Sequence, residues 1–375
     1  MNRIYDELFA RSSSPLGADA EQVADQLRHM GDTRQVLGQW SFAATLNQLG
    51  VPQRYLACAN DQAVSLAARF ELYEQIGFVS PALIFSAPGP SMAAYVVAGL
   101  GSEQQQDAFF GQFQRALCWS CFAMTEPTQG SDAGAMQTTA TAVDGGYLIH
   151  GSKMFIGNGV VADTGVLFAR TAPGQLGINA FVFSPQNPAV TRQRLSLTGL
   201  DGTNLALMHF DDLFIPTADL LGQHLKPTQR FAQSAMATFD ALRPCVGALA
   251  LGVARRALQE WHACVTPTPD QSQRLAVLKR RWSSAYRDAL TVCQRADAQQ
   301  ASGKSPGMVK TACVVLADEI VSHLIHAFPK GAQPVPTALW QAFRDVKAFE
   351  YTEGTRQVHQ LGMSFSPPPS SLECR

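Results

Sequence analysis

Near the C-terminus, the group Glu353-Gly354-Thr355 places a carboxylate where it could act as a base. Glycine commonly follows a helix end because it adopts a left-handed backbone at little cost, and threonine is a good N-cap. These residues therefore predict that one helix stops and another starts. Glu353 would then stand at a helix terminus, from which its carboxylate can point into a cavity. Two alternatives stay open: a charged side chain at an exposed helix end, or Glu350 as the base one turn earlier.

Two other pairs of reactive side chains are better explained by structure than by chemistry. Cys118 and Cys121 have CxxC spacing, but no second cysteine pair and no helix start follow, which favours cysteines in a strand or loop. His323 and His326 lie three apart on an apolar helix, without the glutamate and the spacing of a zinc protease. We therefore predict no metal site.

Composition favours a cytoplasmic enzyme or binding protein of two or three subdomains. The 375 residues are long for one core, and 29 Lys and Arg residues nearly balance 30 Asp and Glu residues, so nucleic acid and anionic membranes are not expected partners. The N-terminus lacks the apolar segment of a secretory signal, and no apolar run approaches the ~18 residues of a transmembrane helix. Eight scattered cysteines suit reduced thiols.

Periodicity divides the chain into four segments. Residues 1–117 show helical spacing, whereas residues 118–226 are rich in Thr, Val, Phe and Tyr with turn signals and predict a β domain. Residues 227–362 predict a helical bundle with an oligomer contact, and the proline-rich residues 363–375 predict a disordered tail. The bundle prediction depends on apolar residues at alternating spacings of three and four, which are Leu275, Leu278, Trp282, Ala285, Ala289 and Val292.

No Rossmann or phosphate-loop glycine motif follows a predicted strand, so dinucleotide binding through those motifs is not expected. A ligand can still bind where the β and helical domains meet, because clefts between subdomains are common binding sites. Residues 121–159, with "MTEP", "GSD", "DGGY" and "NG" in order, resemble the flavin-binding signature of the acyl-CoA dehydrogenase family. "FDALRP" (239–244) and "RDVKAFEYTEGTRQVHQ" (344–360) resemble its substrate-side helix and its catalytic C-terminal segment. The resemblance implies an α+β, mainly α fold with an N-terminal helical domain, a central β-barrel-like domain and a C-terminal four-helix bundle.

The resemblance also implies an FAD cofactor and assigns site residues by position. Glu353 matches the catalytic base; Leu242 stands where some relatives place an alternative base, so Glu353 is the only base that the resemblance supports. The positions that match the family's substrate-side contacts are Ser131, Asp240, Arg243 and Gly354. Those that match its FAD contacts are Phe122, Met124, Thr125, Ser131, Phe155, Ile156, Gly157, Thr355 and Gln357.

The chemistry implied by this resemblance is the oxidation of a thioester. The α proton of a thioester is weakly acidic, so the carbonyl oxygen must be hydrogen-bonded as negative charge develops on it. The base must be a carboxylate in a dry pocket, where desolvation raises its pKa toward neutral pH. A hydride then passes from the β carbon to the flavin, and the protein supplies the geometry.

Several positions depart from the family pattern. Gly157 stands where many relatives have a threonine whose hydroxyl binds flavin N5, and Phe155 replaces a common tryptophan. After Trp261 the arginine and phenylalanine that usually reach a neighbouring subunit's FAD are absent, and "FPKGA" (328–332) replaces the glycine-rich turn for the adenine half. We therefore expect the ADP half to be held differently or FAD to bind weakly.

These departures favour a substrate other than ordinary fatty acyl-CoA. The expected substrate is an acyl, hydroxyacyl or aminoacyl thioester on a carrier protein, as in the making of extender units in polyketide and nonribosomal peptide pathways. Free acyl-CoA is the alternative. A flavin oxidase or monooxygenase and a noncatalytic partner subunit are further alternatives. The expected partners are an electron-transfer protein or oxygen as acceptor, and further copies of the chain in a homodimer or homotetramer.

Overall fold

A computed structural model describes residues 18–30, 33–40, 42–56, 64–300, 305–329, 331 and 334–364. Within these residues, seven helices precede the sheet: α1 Ala18–Met30, α2 Thr33–Gly38, α3 Phe42–Gln48, α4 Leu66–Val79, α5 Ala82–Phe85, α6 Ala93–Leu100 and α7 Glu103–Arg115. Five helices follow the sheet: α8 Pro227–Cys264, α9 Pro269–Asp297, α10 Pro306–His326, α11 Thr337–Phe349 and α12 Arg356–Ser364. The predicted order of helices, sheet and helical bundle is confirmed. The predicted tail began at residue 363, but residues 363 and 364 belong to α12; its remaining residues, 365–375, lie outside the described part of the chain.

The central sheet has seven strands: β1 Ser120–Ala123, β2 Thr139–Val143, β3 Gly146–Ile156, β4 Thr164–Arg170, β5 Ile178–Phe183, β6 Val190–Arg194 and β7 Ala206–Pro216. The strand order is β1-β4-β2-β3-β7-β6, and β5 pairs with β4. β1 and β4 are parallel, whereas the long β3 and β7 are antiparallel with two register shifts. Such irregularities bend strands, and the sheet curls as the predicted barrel-like domain requires.

The bundle is formed by α8, α9, α10 and α11, which pack on one another along α8. The stripe predicted on α9 faces this core: five of its six residues are buried, and Ala285 is partly buried. Among the described residues, no helix combines the length and the apolar character needed to cross a membrane.

Helix α4 of the N-terminal part packs directly on α8. A Cβ atom on Gly77 would lie 2.3 Å from the carbonyl oxygen of Leu249, and one on Gly252 would lie 2.1 Å from that of Glu74. Any side chain at either position would therefore force the two helices apart. The N-terminal and C-terminal helices consequently share one hydrophobic core.

A buried ion pair lies at the same crossing. Arg255 on α8 donates from Nε to Oε1 of Glu74 on α4 at 2.6 Å and from Nη2 to Oε2 at 3.1 Å, and its guanidinium stacks over Phe78. Both charged groups are almost fully buried. Each depends on the other, since a buried charge that loses its partner is strongly destabilising.

We expect Arg255→Met to lower the free energy of unfolding by about 3–5 kcal/mol, because it takes the cation away from the buried carboxylate of Glu74. The adjacent Arg256, which pairs with Glu21 and Glu260 nearer the surface, provides the control: Arg256→Met should change stability by about 1 kcal/mol or less. Chemical denaturation measures both. Equal losses in the two variants would contradict this account of the crossing.

Candidate active site

The segment 350–355 joins α11 to α12 and carries the candidate base. Glu353 and Gly354 have φ angles of 56° and 102°, and the Thr355 hydroxyl accepts a hydrogen bond from the N–H of Val358, as an N-cap does. The predicted helix break is therefore present. However, α11 ends at Phe349, so Glu353 lies within the connecting turn and not at the helix terminus that the sequence predicted.

Glu350, the competing candidate for the base, has a different contact. Its carboxylate oxygen Oε1 accepts the backbone N–H of Arg356 at 2.9 Å. A carboxylate at a helix N-terminus satisfies a donor that has no partner within the helix. The Glu350 carboxylate thus closes the turn. Because it is engaged in this contact, Glu353 is the better candidate for the base.

Three side chains hold the backbone of this turn. Arg243 on α8 donates from Nε to the carbonyl oxygen of Glu353 at 3.1 Å, and the His359 ring lies 3.3 Å from the same oxygen. Lys310 on α10, which is 1% exposed, donates to the carbonyl oxygens of Gly354 and Glu350 at 2.7 and 3.2 Å. The turn is therefore fixed from two helices of the bundle and from its own following helix.

The carboxyl group of Glu353 is suited to exchange a proton near neutral pH. Its Oε2 atom is buried and has no hydrogen-bond partner among the described residues. Burial raises the pKa of Glu353 to about 7, although the positive charges of Arg243 and Lys310 oppose the shift. Burial, aided by the same two cations, lowers the pKa of His359 to about 4, so its imidazole is neutral at pH 7.

A cavity of about 440 Å³ is lined in part by Arg69, Tyr95 and Asp240. Asp240 pairs with Arg243 at 3.1 Å, which connects the cavity wall to the group that holds Glu353. Apolar clefts with a few polar groups and a perturbed titrating residue are the usual form of an active site.

A second group of predicted site residues lies where β1 and β3 end, and we call it the strand cluster. Its members are Phe122, Met124, Thr125, Phe155, Ile156 and Gly157. The N–H of Met154 donates to the carbonyl oxygen of Thr125 at 2.8 Å, which brings the segment after β1 against β3. Phe122 on β1 contacts Phe239 on α8 at a ring separation of 6.0 Å, and Arg243 lies 5.3 Å above the Phe239 ring. This chain of contacts joins the strand cluster to the turn that carries Glu353.

The remaining predicted residues differ in how they are placed. The side chains of Met124 and Ile156 are buried in the sheet cores, so their backbones alone are available to a ligand. Ser131 is exposed in the loop after β1, and Gln357 is exposed on the first turn of α12. Among the described residues, no hydrogen bond joins the side chain of Ser131, Thr355 or Gln357 to the strand cluster.

Residues that the sequence analysis did not assign also shape the site. Lys153 is buried and donates to the carbonyl oxygen of Met124 and to Glu126, both at 2.9 Å, while Glu126 accepts the N–H groups of Gln137 and Thr138. This pair fixes the loop after Thr125. The sequence did offer a signal for this pair, because Glu126 belongs to the "MTEP" fragment and Lys153 to the "HGSK" fragment. Lys310, in contrast, lies in a helix with no motif around it.

Features of the strand cluster fit a flat aromatic cofactor. Phe155 is 55% exposed and has a φ of 59°, which turns its ring out of β3. The Thr125 hydroxyl has no hydrogen-bond partner in the part of the chain that the structure describes, and no atom lies within 4 Å of where a Cβ on Gly157 would be. An exposed ring, a free hydroxyl and open space together match the face and polar edge of a flavin.

Comparison with known proteins agrees with this fit. The acyl-CoA dehydrogenase middle-domain model matches residues 121–213, and the C-terminal-domain model matches residues 232–363. The chain is 28% identical to a short-chain specific acyl-CoA dehydrogenase of Clostridium acetobutylicum over 382 residues, covering 97% of this chain and 96% of the relative.

Solved structures share the fold. Butyryl-CoA dehydrogenase from Megasphaera elsdenii matches with a TM-score of 0.79 and 22% identity, covering 96% of each chain. PigA, solved with FAD and proline, matches with a TM-score of 0.77 and 19% identity, covering 97% of this chain and 96% of PigA.

The fold and the two matched domains define a flavoprotein oxidoreductase. The chain belongs to the acyl-CoA dehydrogenase family and uses FAD. The predicted fold class, enzyme class and cofactor are confirmed.

We expect Gly354→Ala to misplace Glu353. A Cβ at this position would lie 2.8 Å from Nε2 of His359, in addition to the left-handed backbone that costs an alanine about 1–2 kcal/mol. The control is Gly174→Ala, which has a φ of 80° but no atom within 4 Å of the added methyl. Both variants should lose stability in chemical denaturation, but only Gly354→Ala should slow flavin reduction by substrate; equal reduction rates would contradict the clash.

Proposed function

We propose that this protein oxidises an acyl thioester, with Glu353 as the base that removes the α proton. The supporting observation is the buried Oε2 atom of Glu353, which has no hydrogen-bond donor among the described residues. The pKa of the same carboxyl group is raised to about 7. A buried polar atom without a partner is costly to the fold, and such atoms are typical of sites that complete their contacts with a ligand.

The residues around Glu353 prepare it for this role. A pKa of about 7 leaves roughly half of the groups ionised at neutral pH, so the carboxylate can accept a proton from a weak carbon acid. Arg243 and Lys310 hold its backbone through carbonyl groups and leave the carboxylate unoccupied. The base is thus positioned without being neutralised by a direct ion pair.

FAD, when bound, supplies the hydride acceptor. We propose that its ring is held at the strand cluster by the exposed face of Phe155, the hydroxyl of Thr125 and the backbones of Met124 and Ile156. Gly157 would leave room beside the ring. The other proposed contacts are Phe122, Ser131, Thr355 and Gln357, and the proposed substrate contacts are Ser131, Asp240, Arg243 and Gly354.

The proposed substrate handle is the phosphopantetheine arm, which CoA and carrier proteins share. The departures from the family pattern after Trp261 and at residues 328–332 favour a carrier-borne acyl group. The relative from Clostridium acetobutylicum is named for acyl-CoA. We further propose an electron-transfer protein, or oxygen, as acceptor and a homodimer or homotetramer as the working form.

Anaerobic visible spectra of the FAD-loaded protein test the base and the handle together. Matched acyl thioesters on CoA and on a carrier protein should bleach the flavin band through one handle much faster than through the other. Glu353→Gln should slow bleaching by about 10²–10⁴-fold, because a positioned base contributes that much. Glu350→Gln is the matched control, since the glutamine oxygen can still accept the Arg356 N–H.

Bleaching that survives in Glu353→Gln would refute the base assignment. Absence of bleaching by either handle in the wild type, with FAD bound, would refute thioester oxidation.

The rate of anaerobic bleaching should rise with pH. Because the pKa of Glu353 is raised to about 7, the group is protonated and inactive well below that value and ionised above it. We expect a half-maximal rate near pH 7 when stopped-flow traces are recorded from about pH 5.5 to about pH 8.5. A rate that is already constant above about pH 5.5 would show that the base has an ordinary carboxylate pKa.

A further inference from the structure

The imidazole of His359 fills a space that two glycines leave for it. His359 on α12 is 6% exposed. A Cβ atom on Gly307, in the first turn of α10, would lie 2.8 Å from Cδ2 of this ring, and one on Gly354 would lie 2.8 Å from Nε2. A side chain at either position would displace the ring, because protein interiors are closely packed. The ring is therefore held between α10 and the turn that carries Glu353.

Each nitrogen of the His359 ring faces one oxygen atom. Nδ1 lies 3.0 Å from the hydroxyl oxygen of Thr311 on α10, and Nε2 lies 3.3 Å from the carbonyl oxygen of Glu353. A carbonyl oxygen can only accept, so Nε2 has to carry the proton in this contact. A neutral imidazole has one N–H, which makes Nδ1 an acceptor to which the Thr311 hydroxyl donates.

The Thr311 hydroxyl has a second acceptor within reach, the carbonyl oxygen of Gly307 at 2.9 Å. A hydroxyl has a single proton and cannot donate fully to both acceptors. Gly307 stands four residues before Thr311 in α10, so the helix itself supplies a backbone N–H for this carbonyl. Because Nδ1 of His359 depends on the hydroxyl for its donor, we assign the hydroxyl proton to Nδ1.

The charges around the ring keep it neutral. Burial lowers the pKa of His359 to about 4, and the positive charges of Arg243 on α8 and Lys310 on α10 act in the same direction. The carbonyl of Glu353 and the carboxylate of Glu350, both in the turn, oppose them. A charged ring would be a third cation beside Glu353 and would lower the pKa of its carboxyl group. The neutral ring can hold the turn without this effect.

The backbone of Glu353 needs such support because it is left-handed. Its φ of 56° lies in a region that residues other than glycine adopt rarely. Conformations of this kind persist where surrounding contacts hold them, and they cluster at functional sites. The carbonyl oxygen of Glu353 faces two donors, Nε of Arg243 at 3.1 Å and Nε2 of His359. These contacts fix the peptide that follows Glu353, and with it the direction of its side chain.

We propose that Thr311 and His359 act as a pair of positioning residues for the base: the Thr311 hydroxyl selects the Nε2–H form of His359, and this N–H holds the carbonyl oxygen of Glu353. The inference rests on the proposed function and adds two residues to it. The pair differs from Arg243 and Lys310 because it is uncharged, so it sets the geometry of Glu353 with little effect on the pKa of the carboxyl group.

Magnetic resonance of the protein labelled with ¹⁵N at histidine tests the proton arrangement without any substrate. A spectrum of His359→Gln identifies the ring signals of His359 among those of the eight histidines. We expect the Nε2–H form at about pH 7 and a ring that stays neutral down to about pH 5. An Nδ1–H form, or a ring that is already protonated at about pH 6, overturns the inference.

Two amide substitutions separate the two contacts of the ring. The side-chain nitrogen of glutamine is as many bonds from Cα as Nε2 of histidine, whereas that of asparagine is as many bonds away as Nδ1. His359→Gln therefore keeps a donor for Glu353 and should reduce the flavin within about threefold of the wild-type rate. His359→Asn keeps only a contact with Thr311 and should slow reduction by about 10–100-fold. The dissociation constant of the thioester should change less than about threefold in both, since substrate binding is not the step affected.

Substitutions of Thr311 test its part in the pair. Thr311→Val keeps the shape of the side chain and leaves Nδ1 without a donor, so we expect a mixture of the two ring tautomers and flavin reduction slowed by about 3–10-fold. Thr311→Ser keeps the hydroxyl and should retain both the Nε2–H form and the rate. Equal rates and equal tautomer populations in the valine and serine variants overturn the inference.

The outcomes separate failure of this inference from failure of the proposed function. Equal slowing in His359→Gln and His359→Asn would show that the ring serves packing alone, and it would overturn the inference while thioester oxidation stands. If no thioester bleaches the flavin of the wild type, the proposed function fails. The ring tautomers of the wild type and of Thr311→Val then still support or overturn the contact between Thr311, His359 and Glu353.

Discussion

Burial of one carboxyl group against two cations is the constraint on which the site depends. Glu353 has to be dry enough for its pKa to approach neutrality, yet its turn has to be held rigidly. A direct ion pair would hold it but would return its pKa to the ordinary range. Arg243 and Lys310 instead donate to backbone carbonyl oxygens of the turn. These backbone contacts fix the position of Glu353, while burial of its carboxyl group raises its pKa.

The same arrangement occurs at the opposite side of the site. Lys153 is buried beneath the segment after β1 and donates to the carbonyl oxygen of Met124, just as Lys310 donates to that of Gly354. In both places a long side chain reaches irregular backbone from a regular element and satisfies groups that no helix or strand can pair. The two irregular segments of the site, the one after β1 and the turn that carries Glu353, are therefore held by regular elements. Catalysis that depends on fixed geometry requires such support.

Local signals explain which features could be predicted from the sequence. The change from helical to strand periodicity, the α9 stripe and the Gly354-Thr355 break each depend on neighbouring residues, and each is present in the structure. The exact end of α11 was misplaced because the contact between Glu350 and Arg356 closes a turn that propensity alone does not reveal. Lys310 could not be assigned, since its contacts with the carbonyl oxygens of Glu350 and Gly354 join residues that are distant in sequence.

The contact between α4 and α8 limits how the pocket can change. At Gly77 and Gly252 the backbones of the two helices touch with no side chain between them, while α4 carries Arg69 and Tyr73 and α8 carries Asp240 and Arg243. The helices cannot move closer, and moving them apart would expose the shared core. A change in the shape of this pocket therefore has to come from the side chains that line it and not from a shift of the two helices.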